Sequence, residues 1–217
     1  MNPTLLLDLD GTLVDSVPDL AAAVNRMLLA RALAPLALGA VTSMVGDGLP
    51  VLVERALAAR GRRFDPDALA AVGADYAANL AVASRLFPDV VPSLAALAED
   101  GWRLAVCTNK PHAAARSLLA ALGLGDCFVA IGGGDSFPVR KPDPAHLLAT
   151  LAAAGGEPAR AVMVGDHAND IAAARGAGIK VVFAGWGYGP ASLGAGADAV
   201  AERFSALPAI VRGLVAA

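Results

Sequence analysis

Two carboxylates follow the first apolar run of the sequence, in "LLLDLDGT", and their spacing suits the binding of a cation or the handling of a proton. Only Leu9 separates Asp8 from Asp10, so in extended backbone both side chains leave the same side of the chain. Gly11 permits a tight turn after them, and the Thr12 hydroxyl can orient a nearby oxygen. A buried unpaired carboxylate is costly, so this pair must meet a cation, a proton or water. A capped turn at the end of a strand is the alternative interpretation.

Polar residues that suit the same chemistry recur in three later stretches. Thr108 and Asn109 end "LAVCTN", just ahead of a helix whose free N-terminal amides can hold an anion. Lys141, in "VRKPDP", can supply a positive charge to a phosphoryl group or to an aspartate. "VMVGDHAND" places Asp166 and Asp170 about one helical turn apart, as a pair of hard oxygen ligands. A helix N-cap would account for either aspartate alone.

Four acidic side chains gathered at strand ends predict a cation site, because like charges at close range need compensation. Mg²⁺ is favoured, since it takes a few oxygen ligands, keeps waters and bridges to phosphate. The sequence contains no cluster of histidines and cysteines, so a zinc site is not indicated. His112 and His167 are interpreted as helix-start residues or as residues that support a ligand, and His146 as a helix-surface histidine.

Alternating strands and helices must position these side chains. Short apolar runs at residues 5–9, 103–108, 128–131, 161–165 and 180–184 are separated by helical patterns, which predicts strands buried on both faces of a parallel sheet. Pro92 or Ser93 and Pro111 mark helix starts, and Asp143 with Pro144 marks a third. The expected fold class is α/β, with a doubly wound, Rossmann-like parallel-sheet core.

The interval from residue 16 to about residue 86 shows helical patterns and no convincing strand. Ser16 to Asp19 resembles a capping box, which predicts a helix directly after the acidic motif. We therefore expect an all-helical cap, residues 16–86, inserted into an α/β core formed by residues 1–15 and 87–217. Such a cap is placed to act as a lid. A helical bundle that serves only packing is the alternative.

The bulk properties of the 217-residue chain exclude several classes of partner. The formal net charge is -3 with scattered basic residues, so no nucleic-acid partner is expected. No apolar stretch approaches the roughly 20 residues that span a bilayer, and no signal segment is seen, so no membrane partner is expected. Cys107 and Cys127 are too few for a disulfide framework and fit a reducing cytoplasm. The expected partner is a small phosphorylated metabolite, and the sequence indicates no oligomeric state.

Four motifs in this order resemble the haloacid dehalogenase superfamily: "DLDGT", "CTN", the lysine of "RKPDP", and "GDHAND". The resemblance covers essentially the whole chain and includes a helical cap after the first motif. Within the superfamily, "DGTLVDS", "VGDG", "TNKP", "GGGDSFPVRKPDP" and "GWGYG" resemble the phosphoglycolate phosphatases.

The resemblance implies a role for each acidic residue. Asp8 would be the nucleophile that attacks phosphorus, and Asp10 would protonate the leaving group and then activate water. Asp166 and Asp170 would bind Mg²⁺ together with Asp8, and Asp10 would contribute its backbone carbonyl. The presence of Asp10 also disfavours carbon–halogen cleavage, because the dehalogenases of the superfamily lack an acidic residue at the corresponding position.

The resemblance also assigns the remaining site residues. Thr108 and Lys141 would hold phosphoryl oxygens and offset the developing charge. The residues expected to bind substrate belong to the first motif, the second motif and a cap loop: Gly11, Thr12, Asn109, Gly46, Asp47 and Gly48. Arg26 or Arg55 could pair with a substrate carboxylate, and a solvated helix face is the alternative for either.

The expected function is Mg²⁺-dependent hydrolysis of a small phosphomonoester, 2-phosphoglycolate to glycolate and phosphate, through an aspartyl-phosphate intermediate. One alternative is a broad-specificity phosphatase of small metabolites, or a phosphonate or pyrophosphate hydrolase with the same core. A more distant alternative is a phospho-accepting signalling module, although signalling receiver domains are shorter and lack a cap.

Overall fold

The computed structural model describes residues 2–216. In chain order its elements are β1 (Thr4–Leu7), β2 (Val14–Asp15), α1 (Val17–Ala30), α2 (Leu38–Thr42), α3 (Leu49–Ala58), α4 (Pro66–Ala78), β3 (Arg85–Leu86), α5 (Val90–Glu99), β4 (Arg103–Cys107), α6 (His112–Ala121), β5 (Ala130–Gly132), α7 (Pro144–Ala153), β6 (Ala161–Gly165), α8 (Ala168–Gly176), β7 (Lys180–Ala184), β8 (Ala199–Ala201) and α9 (Leu207–Ala216). Within that range, no helix combines the length and hydrophobicity needed to cross a membrane.

Six strands form one sheet in the order β5-β4-β1-β6-β7-β8, and every neighbouring pair is parallel. Side chains alternate between its two faces along β1. Leu5 and Leu7 pack in a cluster with α5, α6 and α9, whereas Leu6 packs with α7 and α8. The sheet is thus covered by helices on both faces, and the predicted doubly wound α/β core is confirmed.

The strand order places the ends of three strands side by side. β1 lies in the middle of the sheet, with β4 on one side and β6 on the other. The chain first runs outward through β4 and β5, then returns and runs outward through β6, β7 and β8. Open α/β sheets bind ligands at the carboxyl ends of the strands where the order reverses, which here are the ends of β1, β4 and β6.

Helices α1 to α4 pack around a hydrophobic cluster of their own, distinct from the two clusters on the sheet. Its buried members include Val24 and Leu28 of α1, Val53 of α3 and Val72 of α4. These helices occupy most of the interval expected to form a cap. The division into a core of residues 1–15 and 87–217 and a cap of residues 16–86 stays a prediction.

A two-stranded antiparallel ribbon stands where the helical segment leaves and rejoins the sheet. Val14 of β2 lies opposite Leu86 of β3, and Asp15 lies opposite Arg85. The expectation of no strand between residue 16 and about residue 86 therefore missed β3. A strand of two residues is too short to show an alternating pattern in the sequence.

The predicted capping box at the start of α1 is wrong. Ser16 makes no side-chain cap, and its hydroxyl donates to Oδ1 of Asp10 instead. Asp19 is buried and accepts hydrogen bonds from the backbone N–H groups of Ala83 and Ser84 and from the Ser84 hydroxyl. Ser16 therefore joins the start of α1 to the first motif, and Asp19 joins it to residues 83 and 84, rather than either capping the helix.

Candidate active site

Asp8 and Asp10 follow β1 and line one cavity between the sheet and the helical segment. Asp8 is buried, and its Oδ1 accepts the backbone N–H of Leu9 at 2.8 Å. The turn that follows requires Gly11, whose φ is +86° and where an added Cβ would overlap the carboxylate of Asp166. The turn therefore brings the first motif into contact with the fourth.

The Lys141 ammonium lies among the acidic residues and is buried. Its Nζ is 3.0 Å from Oδ1 of Asp8 and 2.6 Å from Oδ1 of Asp170, and it donates to the Cys107 carbonyl at 2.6 Å. Burial acts to lower the pKa of Lys141, but Asp170 and Asp8 outweigh it, so the pKa is raised. Lys141 therefore stays charged and holds Asp8 in one position.

Asp166, at the end of β6, is held by two donors and lies near two other carboxylates. The Thr12 hydroxyl donates to its Oδ1 at 3.0 Å, and the Tyr188 N–H donates to its Oδ2 at 2.8 Å. Burial, followed by the charges of Asp8 and Asp170, raises the pKa of Asp166 to about 7. Burial likewise raises the pKa of Asp8 to about 6, although the neighbouring lysine opposes this.

These three aspartates fit a hard divalent cation. Asp8, Asp166 and Asp170 each offer one oxygen, and the three oxygens lie within 4.8 Å of one another. All three residues are buried, and one lysine cannot offset three negative charges. Carboxylate oxygens are the ligands that Mg²⁺ prefers. The expected contact of the Asp10 carbonyl with the metal stays a prediction.

Thr108 and Asn109 follow β4 and line the same cavity. The Thr108 hydroxyl accepts the backbone N–H of Lys110 at 3.2 Å. Asn109 donates from Nδ2 to the carbonyls of Gly46 and Lys141, both at 3.0 Å, so it joins the helical segment to the third motif. Its Oδ1 is buried and has no hydrogen-bond partner among the described residues.

The loop of residues 46–48 reaches the sheet through its backbone. Gly46 and Gly48 line the cavity, whereas the Asp47 side chain points to other partners. Oδ1 of Asp47 accepts from Asn169 at 2.7 Å, and Oδ2 lies 2.6 Å from the Arg55 guanidinium. Arg55 is thus already paired within the helical segment.

Four residues expected to contact substrate do not line the cavity: Gly11, Thr12, Asp47 and Lys141. Gly11 and Thr12 lie against Asp166, so they support a carboxylate of the acidic cluster. Their substrate-binding roles stay predictions. The other arginine considered, Arg26, forms an ion pair with Asp75 on the surface.

Lys110 is a site residue that the sequence reasoning missed. It is buried, and its Nζ lies 3.0 and 3.1 Å from the two carboxylate oxygens of Asp10 and donates to the Tyr76 hydroxyl at 2.8 Å. Burial acts to lower the pKa of Lys110, but Asp10 and Tyr76 outweigh it, so the pKa is raised. The sequence did carry a signal for Lys110: it directly follows "CTN", at the end of a strand that neighbours the strand of Asp8 and Asp10.

Two histidines begin helices, as predicted. His167 caps α8: its Nδ1 accepts the N–H of Asn169 at 3.3 Å, and its own N–H donates to Oδ2 of Asp170 at 3.0 Å. His112 begins α6, and its N–H donates to Oδ1 of Asp135 at 2.7 Å. His167 therefore fixes the orientation of a residue in the acidic cluster.

The interpretation of His146 as a helix-surface histidine is wrong. His146 was expected on a helix surface, but it is fully buried, with Nε2 3.0 Å from the Gly133 carbonyl and its ring against Phe137. Helix α7 reads "PAHLLATLAA", which is apolar on nearly every side. Because the pattern has no polar face, it could not show which side faces the sheet.

The cavity has a volume of about 300 Å³ and two unlike walls. The sheet side carries the polar groups of Asp8, Asp10, Thr108, Asn109 and Lys110. Apart from Tyr76, the helical segment lines the cavity with apolar residues and glycine, among them Leu20, Leu49, Leu52 and Leu80, and α6 adds Ala113 and Ala114. Concave, mostly apolar spaces with a few convergent polar groups are typical of small-molecule sites.

Comparison with known proteins agrees with this geometry. The haloacid dehalogenase-like hydrolase family matches residues 3–178. The chain is 44% identical over 216 residues to the phosphoglycolate phosphatase of Rhodospirillum rubrum. The aligned region covers 95% of this chain and 90% of that protein. It is 40% identical to the phosphoglycolate phosphatase of Agrobacterium fabrum, covering 99% of this chain and 95% of that protein.

Solved structures share the fold over nearly the whole chain. A predicted phosphoglycolate phosphatase from Haemophilus somnus superposes with a TM-score of 0.90 at 34% identity, covering 96% of this chain and 97% of that chain. CbbY from Rhodobacter sphaeroides, in complex with phosphate, superposes with a TM-score of 0.81 at 26% identity, covering 95% and 96%. The fold and the resemblance predicted from the motifs are confirmed, and the chain belongs to the haloacid dehalogenase-like hydrolase family.

Proposed function

We propose that the protein hydrolyses a small phosphomonoester, 2-phosphoglycolate before others, to the alcohol and phosphate through an aspartyl phosphate on Asp8. One observation carries this proposal: the Asp8 carboxylate, fixed by Lys141, shares a cavity with the second carboxylate, Asp10. The family and the relatives named phosphoglycolate phosphatase confirm the prediction of a phosphatase. The same names support glycolate as the leaving group.

Two proton transfers accompany the proposed reaction. An oxygen of Asp8 attacks phosphorus in line with the ester bond, so that one P–O bond forms as the other breaks. Asp10 gives its proton to the leaving oxygen, which departs as a hydroxyl group. Asp10 then takes a proton from the water that attacks phosphorus. The P–O bond to Asp8 breaks, which restores the carboxylate and releases phosphate.

The remaining residues position these groups. Thr108 lines the same cavity as Asp8, and its hydroxyl would hold a phosphoryl oxygen. Lys141 has partners for its three protons, so its part is to hold Asp8 and to offset negative charge. Asn109 holds the Gly46 carbonyl and thereby keeps the loop of residues 46–48 over the site.

Asp8, Asp166 and Asp170 would hold Mg²⁺, joined by the backbone carbonyl of Asp10. The bound ion would offset the negative charge of the phosphoryl group as it is transferred. The three buried carboxylate oxygens within 4.8 Å of one another support this assignment. Thr12, Tyr188 and His167 each donate to one of these carboxylates and would fix its orientation.

We assign residues 16–86 to a cap and residues 1–15 and 87–217 to the phosphatase core. The separate hydrophobic cluster of α1 to α4 supports this division, as does the contribution of both parts to one cavity. Such a cap would exclude water from the reacting groups. We also assign the reaction to the cytoplasm, which two free cysteines support.

A broad-specificity phosphatase is the second candidate, and the cavity favours it. A space of about 300 Å³ with an apolar wall could admit leaving groups longer than glycolate. Specificity is a ratio of catalytic efficiencies, so only a comparison of substrates separates the two candidates.

The test is phosphate release from 2-phosphoglycolate and from a panel of small phosphates, phosphonates and pyrophosphate, with Mg²⁺ and with excess EDTA. The proposal expects 2-phosphoglycolate to exceed the rest of the panel by at least about 100-fold in kcat/KM, a difference of about 2.7 kcal/mol. EDTA should abolish turnover. A metal-dependent but uniform response across the panel would favour the second candidate, and no turnover of any compound would contradict both.

A further inference from the structure

We propose that Tyr76, on α4, is a positioning residue for the reaction, because it holds Lys110 against Asp10 from the helical side of the cavity. The inference rests on the proposed function, in which Asp10 exchanges protons with the leaving group and with water. It adds to that function a direct connection between the helical segment and the acid-base residue.

Tyr76 is distinctive among the residues that α1 to α4 and their loops contribute to the cavity. Over the described helical segment, the other lining residues are all apolar or glycine: Leu20, Val45, Gly46, Gly48, Leu49, Leu52, Gly73, Ala77 and Leu80. A polar hydroxyl in such a wall requires a partner, since burying it unpaired is costly. The Lys110 ammonium is that partner.

Two interactions join Tyr76 to Lys110. Lys110 Nζ donates to the Tyr76 hydroxyl at 2.8 Å, and it lies 4.5 Å from the centre of the aromatic ring. Tyr76 is 3% exposed, and burial raises its pKa to about 12, so the phenol stays neutral and its oxygen accepts the hydrogen bond from Lys110. The contact therefore joins a buried phenol to a buried cation.

Lys110 in turn holds Asp10. Its Nζ contacts both Asp10 oxygens, at 3.0 and 3.1 Å, and it is the one cation in the described cavity lining. Lysine carries its charge on a flexible four-carbon stem, so a second anchor is needed to fix the ammonium in place. The Tyr76 hydroxyl is that anchor, and Ser16 holds Asp10 by a further hydrogen bond.

The consequence is that the contact of Lys110 with Asp10 depends on the position of α4 on the helical side of the cavity. Tyr76 belongs to α4, whereas Lys110 and Asp10 follow β4 and β1. A displacement of α4 would remove the anchor and let the lysine move. Placement of the acid-base residue and coverage of the site by the helical segment thereby become one event.

The test compares Tyr76→Phe, Lys110→Met and the double variant in hydrolysis of 2-phosphoglycolate and of p-nitrophenyl phosphate with Mg²⁺. Tyr76→Phe keeps the ring and removes one hydrogen bond to a charged group, so kcat should fall about tenfold. KM should change by less than about twofold, because Tyr76 does not act on the substrate. Asp75→Asn, at the neighbouring α4 position, breaks the surface ion pair with Arg26 and should leave both constants unchanged.

The double variant decides whether Tyr76 acts through Lys110. Lys110→Met alone should lower kcat more than Tyr76→Phe does, and adding Tyr76→Phe to it should cause no further loss. Multiplying effects, a rise in KM alone, or an equal loss in Asp75→Asn would overturn the inference. If Lys110→Met does not fold, the kcat-against-KM result of Tyr76→Phe decides alone. A parent protein inactive on both phosphates would overturn the proposed function, and this inference with it.

Discussion

The Lys141 ammonium lies 3.0 Å from Oδ1 of Asp8, and both side chains are buried. The same nitrogen lies 2.6 Å from Oδ1 of Asp170. One lysine from the loop before α7 thus joins the end of β1 to the first turn of α8. This arrangement fixes the carboxylate that we propose as the nucleophile.

Replacement of Lys141 should damage both stability and turnover. Lys141→Met leaves two buried carboxylates without their cation, which should lower the free energy of unfolding by about 3–5 kcal/mol. Turnover should fall by at least about 100-fold, since the nucleophile loses its anchor. Urea unfolding and phosphate release measure the two effects.

Lys180→Met is the matched control for that variant. Lys180 pairs with Asp198 on the surface, where its side chain is 56% exposed. Its removal should change stability by less than about 1 kcal/mol. A Lys141→Met protein with the unfolding midpoint of the Lys180→Met protein would contradict the assigned role.

Mg²⁺ should raise the melting temperature of the protein, because an ion that binds only the folded state stabilises it. At a Mg²⁺ concentration 100 times the dissociation constant, the free energy of unfolding should rise by about 2.7 kcal/mol. Asp166→Asn removes one of the three clustered carboxylates and should abolish most of this response. Asp126→Asn, at an exposed position, should keep it. Equal thermal shifts in the two variants would place the metal elsewhere.

Gly11→Ala should lower both stability and turnover. The φ of +86° is strained for alanine, and the added Cβ would lie 2.4 Å from Oδ2 of Asp166. A cost of about 1–3 kcal/mol is expected from the strain. Gly39→Ala is the control, since a Cβ there meets nothing within 4 Å and alanine favours the helix. Calorimetry and phosphate release on both variants check this, and parent-like values for Gly11→Ala would be the contrary result.

The two cysteines should differ in reactivity at pH 8. Burial raises the pKa of Cys107 to about 12, so at pH 8 its thiol is neutral as well as inaccessible. Cys127 is exposed. A disulfide reagent such as DTNB should titrate one thiol in the folded protein and two after denaturation. Rapid reaction of two thiols in the folded state would contradict the burial of Cys107 at the end of β4.

The acidic cluster could be predicted from the sequence because two of its members, Asp8 and Asp166, directly follow strands. The carboxyl ends of neighbouring parallel strands share one edge of a sheet, so Asp8 and Asp166 had to lie close together. Lys141 follows no strand directly, and its motif rather than its position in the sheet indicated it. Local pattern and family motif together therefore gave this part of the site.

The contacts across the cavity could not be predicted in the same way. Tyr76 meets Lys110 only because α4 and the end of β4 border the same cavity, and no local pattern encodes that arrangement. Ser16 and Asp19 had the spacing of a capping box, but more distant partners compete for both side chains. Tertiary contacts outweighed the local preference in each case.

Turnover of 2-phosphoglycolate by Asp8→Asn, measured beside the parent protein, tests the central claim most directly. The amide keeps the size of the side chain but removes the nucleophilic oxygen charge, so kcat should fall by at least about 1,000-fold. Acid quenching during turnover of ³²P-labelled substrate should trap protein-bound phosphate in the parent and none in the variant. An Asp8→Asn protein that turns over at the parent rate would contradict the account.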